Sequence, residues 1–405
     1  MAEGKLMEHT ETERLWEPTL AGIGGKRARR PARYRAFVPG EIADSDWILD
    51  SATAEAIFEA ERRCRELEAH SASVGLDTVA RQLLRSEAVA SSKIEGLVLR
   101  HRRLAKAAAV SSGDLTAQSV LANVAAIEAA YEFAHSSEPF SVDALKRVHA
   151  RLFASTPQDH LGGVVRDRQN WIGGDATTPV NADFVPPPEE DVPRLLEDLA
   201  AFCNRVDLPP VLQAAIAHAQ YETIHPFMDG NGRAGRALIS MILIRREVAS
   251  DVLPPISLIL AGDADSYVRG LTSYRYTPGI DWFDFLSGAV IRAADSSELL
   301  ARRVAELKER WLEAAGRPRA GSAPRRLVEA IPTHPVLTLA TAQSITGLSD
   351  EACRRALNRL EQSGVLRETT AGKRNRVWES VGLFDLLDRL EREVGDGRRA
   401  PARTN

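Results

Sequence analysis

The sequence predicts a mainly α-helical chain that ends in a winged helix-turn-helix domain. Three observations carry this reading. Apolar residues recur at three and four through most of the chain, the spacing of amphipathic helices. The pattern breaks at 162–188, where Gly and Pro gather around two short extended pieces. Near the end the order becomes helix, helix-turn-helix, hairpin. With 405 residues the chain has room for two or three domains of ~150 residues.

The elements follow in order. Residues 1–35 are polar, carry Lys26, Arg27, Arg29 and Arg30, and read as a flexible basic arm. Residues 36–115 form an N-terminal helical region. Ala54, Ile57 and Phe58 mark one helix; Leu84, Ala88 and Val89 mark a second, which stops at Glu95-Gly96. Residues 116–315 form the main helical core. Its first helices carry Val120, Val124, Ile127 and then Leu145, Val148, Leu152; later ones are expected at 189–205, 209–224, 233–247 and 280–312. Within it, Trp171-Ile172-Gly173-Gly174 and Phe184-Val185-Pro186-Pro187-Pro188 read as a β-hairpin or a long functional loop. Arg166 and Arg168, just before it, read as solvated charges. Residues 316–324 have linker composition. In 325–390 three short helices, the last spanning Cys353 to Gln362, precede a hairpin formed by Val365-Leu366 and Val377-Trp378. Residues 391–405 read as a frayed tail.

Hydrophobic residues at 44% and charged residues at 27% exclude a mostly disordered chain, a collagen and a disulfide scaffold. Lys and Arg total 52 against 56 Asp and Glu, net −4, so the whole chain is no polyanion binder. Three separated cysteines (Cys64, Cys203, Cys353) point to a reducing compartment and away from a cysteine metal centre. The first residues lack the apolar run of a secretory signal. The strongest apolar stretch, Ala237 to Ile244, falls short of the ~20 residues of a membrane span. A soluble, cytoplasmic protein without membrane contact is expected.

The chemistry concentrates in His225-Pro226-Phe227-Met228-Asp229-Gly230-Asn231-Gly232-Arg233-Ala234-Gly235-Arg236. Pro226 biases His225 away from helical torsions and ends the incoming helix. Gly230-Asn231-Gly232 forms a turn whose backbone N–H groups can approach a ligand. A Gly-rich turn opening a helix is an anion nest. Arg233 and Arg236 add two permanent positive charges on one face of the first turn. Asp229 is a lone carboxylate at the edge, enough for Mg²⁺ shared with phosphate oxygens. His225 can take a proton near neutral pH. These parts fit a hydroxyl attacking a phosphorus centre.

The segment resembles, position by position, the signature of Fic domains, His-x-Phe-x-(Asp/Glu)-Gly-Asn-Gly-Arg-x-x-Arg. The resemblance implies a helical Fic core with a β-hairpin flap, an accessory N-terminal region and a C-terminal winged helix. It implies that His225 deprotonates a target hydroxyl and Phe227 is a packing anchor. Asp229 would hold Mg²⁺ (or Mn²⁺), and Gly230, Asn231, Gly232 and Arg233 would hold phosphates. Arg236 would pair with the γ-phosphate of ATP. The implied activity is transfer of AMP to a Ser, Thr or Tyr of an unknown target protein, which docks on the flap at Trp171, Ile172, Gly173 and Gly174. Ser91-Ser92-Lys93-Ile94-Glu95-Gly96 resembles the family's inhibitory pattern, in which Glu95 would occupy Arg236 and Ser91 would share its helical face. Removal of AMP, with Glu95 activating water, is the alternative direction. A nucleotide-sensing DNA-binding regulator is another. In 325–378, nine basic residues face five acidic ones, so DNA and a protein partner both stay open there. His218 is expected to be a packed or hydrogen-bonded histidine. Oligomeric state stays open, a homodimer being one alternative.

Overall fold

The computed structural model describes residues 9–18, 30–70, 75–110, 113–175, 177–250, 252–277, 279–369 and 376–396. In chain order the first elements are β1 (His9–Trp16), β2 (Ala32–Pro39), α1 (Ser51–Ala69), α2 (Leu76–Ile94), α3 (His101–Ala109), α4 (Leu115–His135) and α5 (Val142–Phe153). There follow α6 (Val192–Cys203), α7 (Pro210–Ile224), α8 (Asn231–Arg245), α9 (Ile256–Gly262), α10 (Ala264–Tyr276) and α11 (Ile280–Ala314). The last are α12 (Ala323–Ala330), β3 (Val336–Thr338), α13 (Leu339–Thr346), α14 (Asp350–Gln362), β4 (Leu366–Glu368), β5 (Val377–Ser380) and α15 (Leu383–Asp396). The fold is mainly helical, and among the described residues no helix is long and apolar enough to cross a membrane. Two compact units emerge: Met1–Glu61, Ala125–Val248 and Asp265–Gly288 make the first; Arg62–Val124, Ala249–Ala264 and Ala289–Asn405 make the second.

The first unit is organised around α7 and α8. Pro210 opens α7, where a missing N–H costs nothing. Every residue of α7 is buried, and α8 is buried from Asn231 to Ile244. Helices buried on all sides form the centre of a core. Trp282 of α11 locks onto α7 through its indole N–H, which donates to the Ala215 carbonyl at 2.9 Å. The arm expected at 1–35 is corrected here, because His9–Trp16 is a strand paired antiparallel with Ala32–Pro39. Its alternation is charged rather than apolar: Glu13 pairs with Arg33, and Glu11 with Arg35 at 3.0 Å. Such cross-strand ion pairs stabilise a hairpin without an apolar signature. The basic residues 26–29 lie outside the described residues.

On α1 the expected apolar face is rotated. Phe58 is 65% exposed and Ala54 is exposed, while Thr53, Ile57, Ala60, Cys64 and Leu67 are buried. Those five positions form the i, i+4, i+7 stripe of an amphipathic helix.

In the second unit, buried polar groups tie α2 to its neighbours. Glu87 accepts the Ser257 backbone N–H at 2.7 Å and also its hydroxyl. Asn123 of α4 donates to the Ala88 carbonyl (3.0 Å) and the Ser92 hydroxyl oxygen (3.1 Å). The helix closes with Leu97 N–H donating to Ser92 O at 3.0 Å and Gly96 N–H to Lys93 O at 3.0 Å. This is a Schellman stop, and it needs a left-handed residue at Gly96, whose φ is +79°.

The C-terminal part of this unit holds an antiparallel sheet in the order β3-β5-β4, with α12, α13 and α14 before its second strand. Thr338 caps α13, its hydroxyl accepting the Thr341 N–H at 3.1 Å. Leu327, Leu337, Leu357 and Trp378 are buried in its core. The turn at 370–375 lies outside the described residues. The tail expected from 391 is corrected, because α15 continues to Asp396; residues 397–405 lie outside the described residues. Its apolar residues Leu383, Phe384, Leu387, Leu390 and Val394 keep helical spacing and are buried.

Gly96→Ala should lower stability by about 1 kcal/mol in urea unfolding. An added Cβ meets no atom within 4 Å, so the loss comes from the positive φ alone. An unchanged midpoint would rule this out.

Candidate active site

The turn between α7 and α8 brings the predicted residues together. His225 caps α7 in the left-handed region (φ 49°, ψ 60°), its N–H donating to Tyr221 O at 2.9 Å. For a non-Gly residue this conformation persists only when its surroundings enforce it. Here they do. The His225 carbonyl accepts from Arg166 Nε (3.0 Å) and Asn170 Nδ2 (3.2 Å). The imidazole Nδ1 is buried, 3.8 Å from Glu222 Oε2.

Phe227 is fully buried and stacks on the His149 ring, centroids 3.6 Å apart. Asn231 spans the turn: its Oδ1 accepts the Phe227 N–H at 2.8 Å, and its Nδ2 donates to the Phe227 carbonyl at 2.7 Å. Both polar atoms of its side chain are therefore engaged by the turn rather than by the N–H groups of the helix start. Asp229 Oδ1 accepts the Gly230 N–H at 2.6 Å. Gly230 has φ +79°, and a Cβ there would lie 3.0 Å from the Phe153 ring and 3.1 Å from His149 Nε2. Glycine alone allows both the torsion and the approach.

Helix α8 starts at Asn231, and its first N–H groups, from Asn231, Gly232 and Arg233, lack intrahelical acceptors by helix geometry. Arg233 is 5% exposed, 5.5 Å above the Phe153 ring and 3.6 Å from Asp229 Oδ1. Arg236 is 2% exposed, with Nη1 3.5 Å from the Tyr267 hydroxyl. Backbone donors, two buried cations and a histidine thus surround one helix start. Among the described residues no three His, Cys, Asp or Glu converge as a metal centre.

The segment expected as a flap closes through Ile172 and Phe184, which bridge antiparallel. Trp171 lies edge-on to Trp16 at 5.2 Å, and Gly173 and Gly174 are exposed. In the second unit, Ser91 is buried on α2 and Glu95 is its exposed C-cap.

Several supporting residues escaped the sequence reading. Arg166 is corrected from solvated to 3% exposed; besides His225 it donates to the carbonyls of Pro187 and of Arg168, the latter at 3.2 Å. It joins the turn to the end of the flap. Asn170 adds a bond to Phe227 O at 2.9 Å. His149 Nδ1 accepts the Gly163 N–H at 2.9 Å, which leaves Nε2 as the donor to Asp229 O at 2.8 Å. Buried Arg275 lies 3.6 Å from the centre of the Phe184 ring. None of these residues belongs to the twelve-residue motif, and their place beside it emerges only in three dimensions.

Two stretches of the chain match known protein families. Residues 139–243 match the Fic/DOC family, and residues 54–132 match the Fic/DOC family N-terminal region. The chain is 30% identical over 117 residues to a protein adenylyltransferase of Caenorhabditis elegans, covering 29% of this chain and 22% of that protein. It is 42% identical over 64 residues to a probable protein adenylyltransferase of Aquifex aeolicus, covering 16% and 20%. The chain thus spans about a fifth of the length of the curated relatives it matches. A Fic domain-containing signaling protein from Bacteroides thetaiotaomicron shares the fold, with TM-score 0.51 and 20% identity over 61% of this chain and 97% of that one.

Burial, reinforced by Arg233 against the bond to Asp229 O, lowers the His149 pKa to about 4. The unfolded imidazole titrates near ~6.5. Between these values the unfolded chain binds a proton that the folded chain does not, so stability falls as pH drops. The thermal midpoint should decline from pH ~6.5 to ~4, with His149 contributing on the order of 3 kcal/mol. His149→Gln should lose less over that interval; an equal loss would remove His149 as the cause.

Proposed function

From a Fic/DOC domain joined to a Fic/DOC N-terminal domain, we propose that this chain is a protein adenylyltransferase, moving AMP from ATP to a Ser, Thr or Tyr hydroxyl and restrained by Glu95. The observation that carries the reading is the convergence at one buried helix start of His225, the N–H groups of 231–233, Arg233 and Arg236. In this reading the hydroxyl oxygen bonds to the α-phosphorus, the bond to the α,β-bridging oxygen breaks, and pyrophosphate leaves. The hydroxyl proton passes to His225. Because Nδ1 is buried against Glu222, Nε2 is the accepting nitrogen. The helix start and Arg233 stabilise charge on the phosphates, and Arg236 holds the γ-phosphate.

A divalent cation fits at Asp229, whose side chain is about half exposed; one oxygen is used by Gly230 and a hard oxygen is left for a metal that keeps most of its waters. Bound there, Mg²⁺ or Mn²⁺ would neutralise phosphate charge. The exposed Gly173-Gly174 turn supports docking of a target segment as an added strand. Three short helices, with β3 between the first two and β4 and β5 after the third, and the strand order β3-β5-β4 support a winged helix in 325–390. On α14, Arg355 pairs with Glu351 at 3.0 Å and Arg354 with Asp350 at 3.6 Å. These exposed pairs exchange easily, so a protein or DNA phosphates could take up the arginines.

Incubation with α-labelled ATP and Mg²⁺ tests the reading without a known target. Glu95→Gly should self-label strongly and the wild type weakly. Glu95→Gly/His225→Ala should lose about 10²–10⁴-fold of the Glu95→Gly rate, the usual contribution of a general base. No label in any form, with ATP still bound, would sink the transfer reading. AMP release from a modified target, dependent on Glu95, would reverse its direction.

A further inference from the structure

We propose that Tyr267, held by His218, is a positioning residue that orients Arg236 for the terminal phosphate of a nucleoside triphosphate. The inference rests on the nucleotidyl-transfer reading above. His218 comes from α7, Arg236 from α8 and Tyr267 from α10, all within the first unit. They are 0%, 2% and 3% exposed, so water is a poor substitute for any of their mutual bonds. The Tyr267 hydroxyl lies 2.9 Å from His218 Nε2 and 3.5 Å from Arg236 Nη1, the latter at the long end of hydrogen bonding.

The direction of these bonds follows from their chemistry. A guanidinium only donates, so the Tyr267 oxygen accepts from Arg236. The tyrosine hydrogen can then go to His218 Nε2 when that nitrogen is unprotonated. Burial, with Arg236 adding to it and a backbone bond at Gly235 opposing it, lowers the His218 pKa to about 3. His218 is therefore neutral at physiological pH and can accept. Trp282 walls the pair, its ring 5.7 Å from His218 and 6.0 Å from Tyr267. Arg236 thus has one N–H fixed by a side chain that the twelve-residue motif does not contain. The planar fork of an arginine transmits that constraint to its other donors.

A filler of the core and a positioning residue differ in what they change. Loss of mere packing weakens all nucleotides alike, whereas loss of Arg236 orientation affects only ligands with a γ-phosphate. Affinities for ATP, ADP and AMP are measured by calorimetry with Mg²⁺ on the full chain in the Glu95→Gly form, so that the proposed inhibitor does not mask the site. The parent should prefer ATP. Tyr267→Phe should weaken ATP about tenfold and leave AMP within about twofold, as expected for one lost bond to a charged group. His218→Leu should match it, while His218→Gln, which keeps an acceptor near Nε2, should retain the preference. The two His218 variants give the same comparison if Tyr267→Phe does not fold. Retained ATP preference in Tyr267→Phe and His218→Leu would overturn the inference and leave the transfer reading standing. Parallel loss of ATP and AMP affinity would also overturn it, assigning a packing role. A parent without preference for ATP would overturn the γ-phosphate reading of Arg236, and the inference with it.

Discussion

The site depends on one constraint: the chain must leave α7 and enter α8 within the six residues 225–230 without a side-chain cap on the first N–H groups of α8. An ordinary N-cap would spend a side-chain oxygen on those groups. Here Asn231 points its amide back to Phe227 instead, and Asp229 satisfies Gly230, just outside the helix. Two left-handed residues, His225 and Gly230, make the reversal. The non-Gly one is strained, and its strain is held by Arg166 and Asn170. Removing either clamp would relax the residue proposed to take the proton.

Electrostatics follow from the same geometry. Arg166, Arg233, Arg236 and Arg275 are all at least nine-tenths buried in the first unit. Buried cations are stable only with compensation. For Arg166 it comes from carbonyl oxygens, and for Arg275 partly from an aromatic face. Around Arg233 and Arg236 the neighbouring histidines, His149 and His218, have lowered pKa values and add no further positive charge. A polyphosphate arriving at the helix start would meet charges already desolvated, whose attraction is stronger than in water.

The motif was legible because its chemistry is contiguous. Pro226, the glycines and the two arginines announce a helix end, a turn and a helix start in one short run. What could not be read is what reaches the site from afar. Arg166 looks like any surface arginine until its fork meets the carbonyls of the turn and the flap. His149 lies on a helix whose apolar residues were visible, but its partners Gly163 and Asp229 are 14 and 80 residues away. Strand β1 escaped because its alternation is of charges, and Phe58 misled because an aromatic residue beside Ile57 suggested the wrong face of α1. Hydrophobic periodicity finds elements that bury apolar area; it is silent on elements held by ion pairs and on polar anchors.

The buried bonds of α2 bear on how a restraint by Glu95 could work. Glu87 is bonded twice to Ser257, Asn123 reaches both Ala88 and Ser92, and Gln82 donates to Pro332 O at 2.7 Å. Breaking such buried bonds costs about 1–3 kcal/mol for each group left unsatisfied, so melting the helix end would be expensive. Glu95 itself is an exposed cap on this fixed stem. Under the proposed reading, relief of the restraint leaves this helix folded and acts at the Glu95 carboxylate. The lasting control then lies in whatever competes for the carboxylate, rather than in unfolding of the segment that carries it.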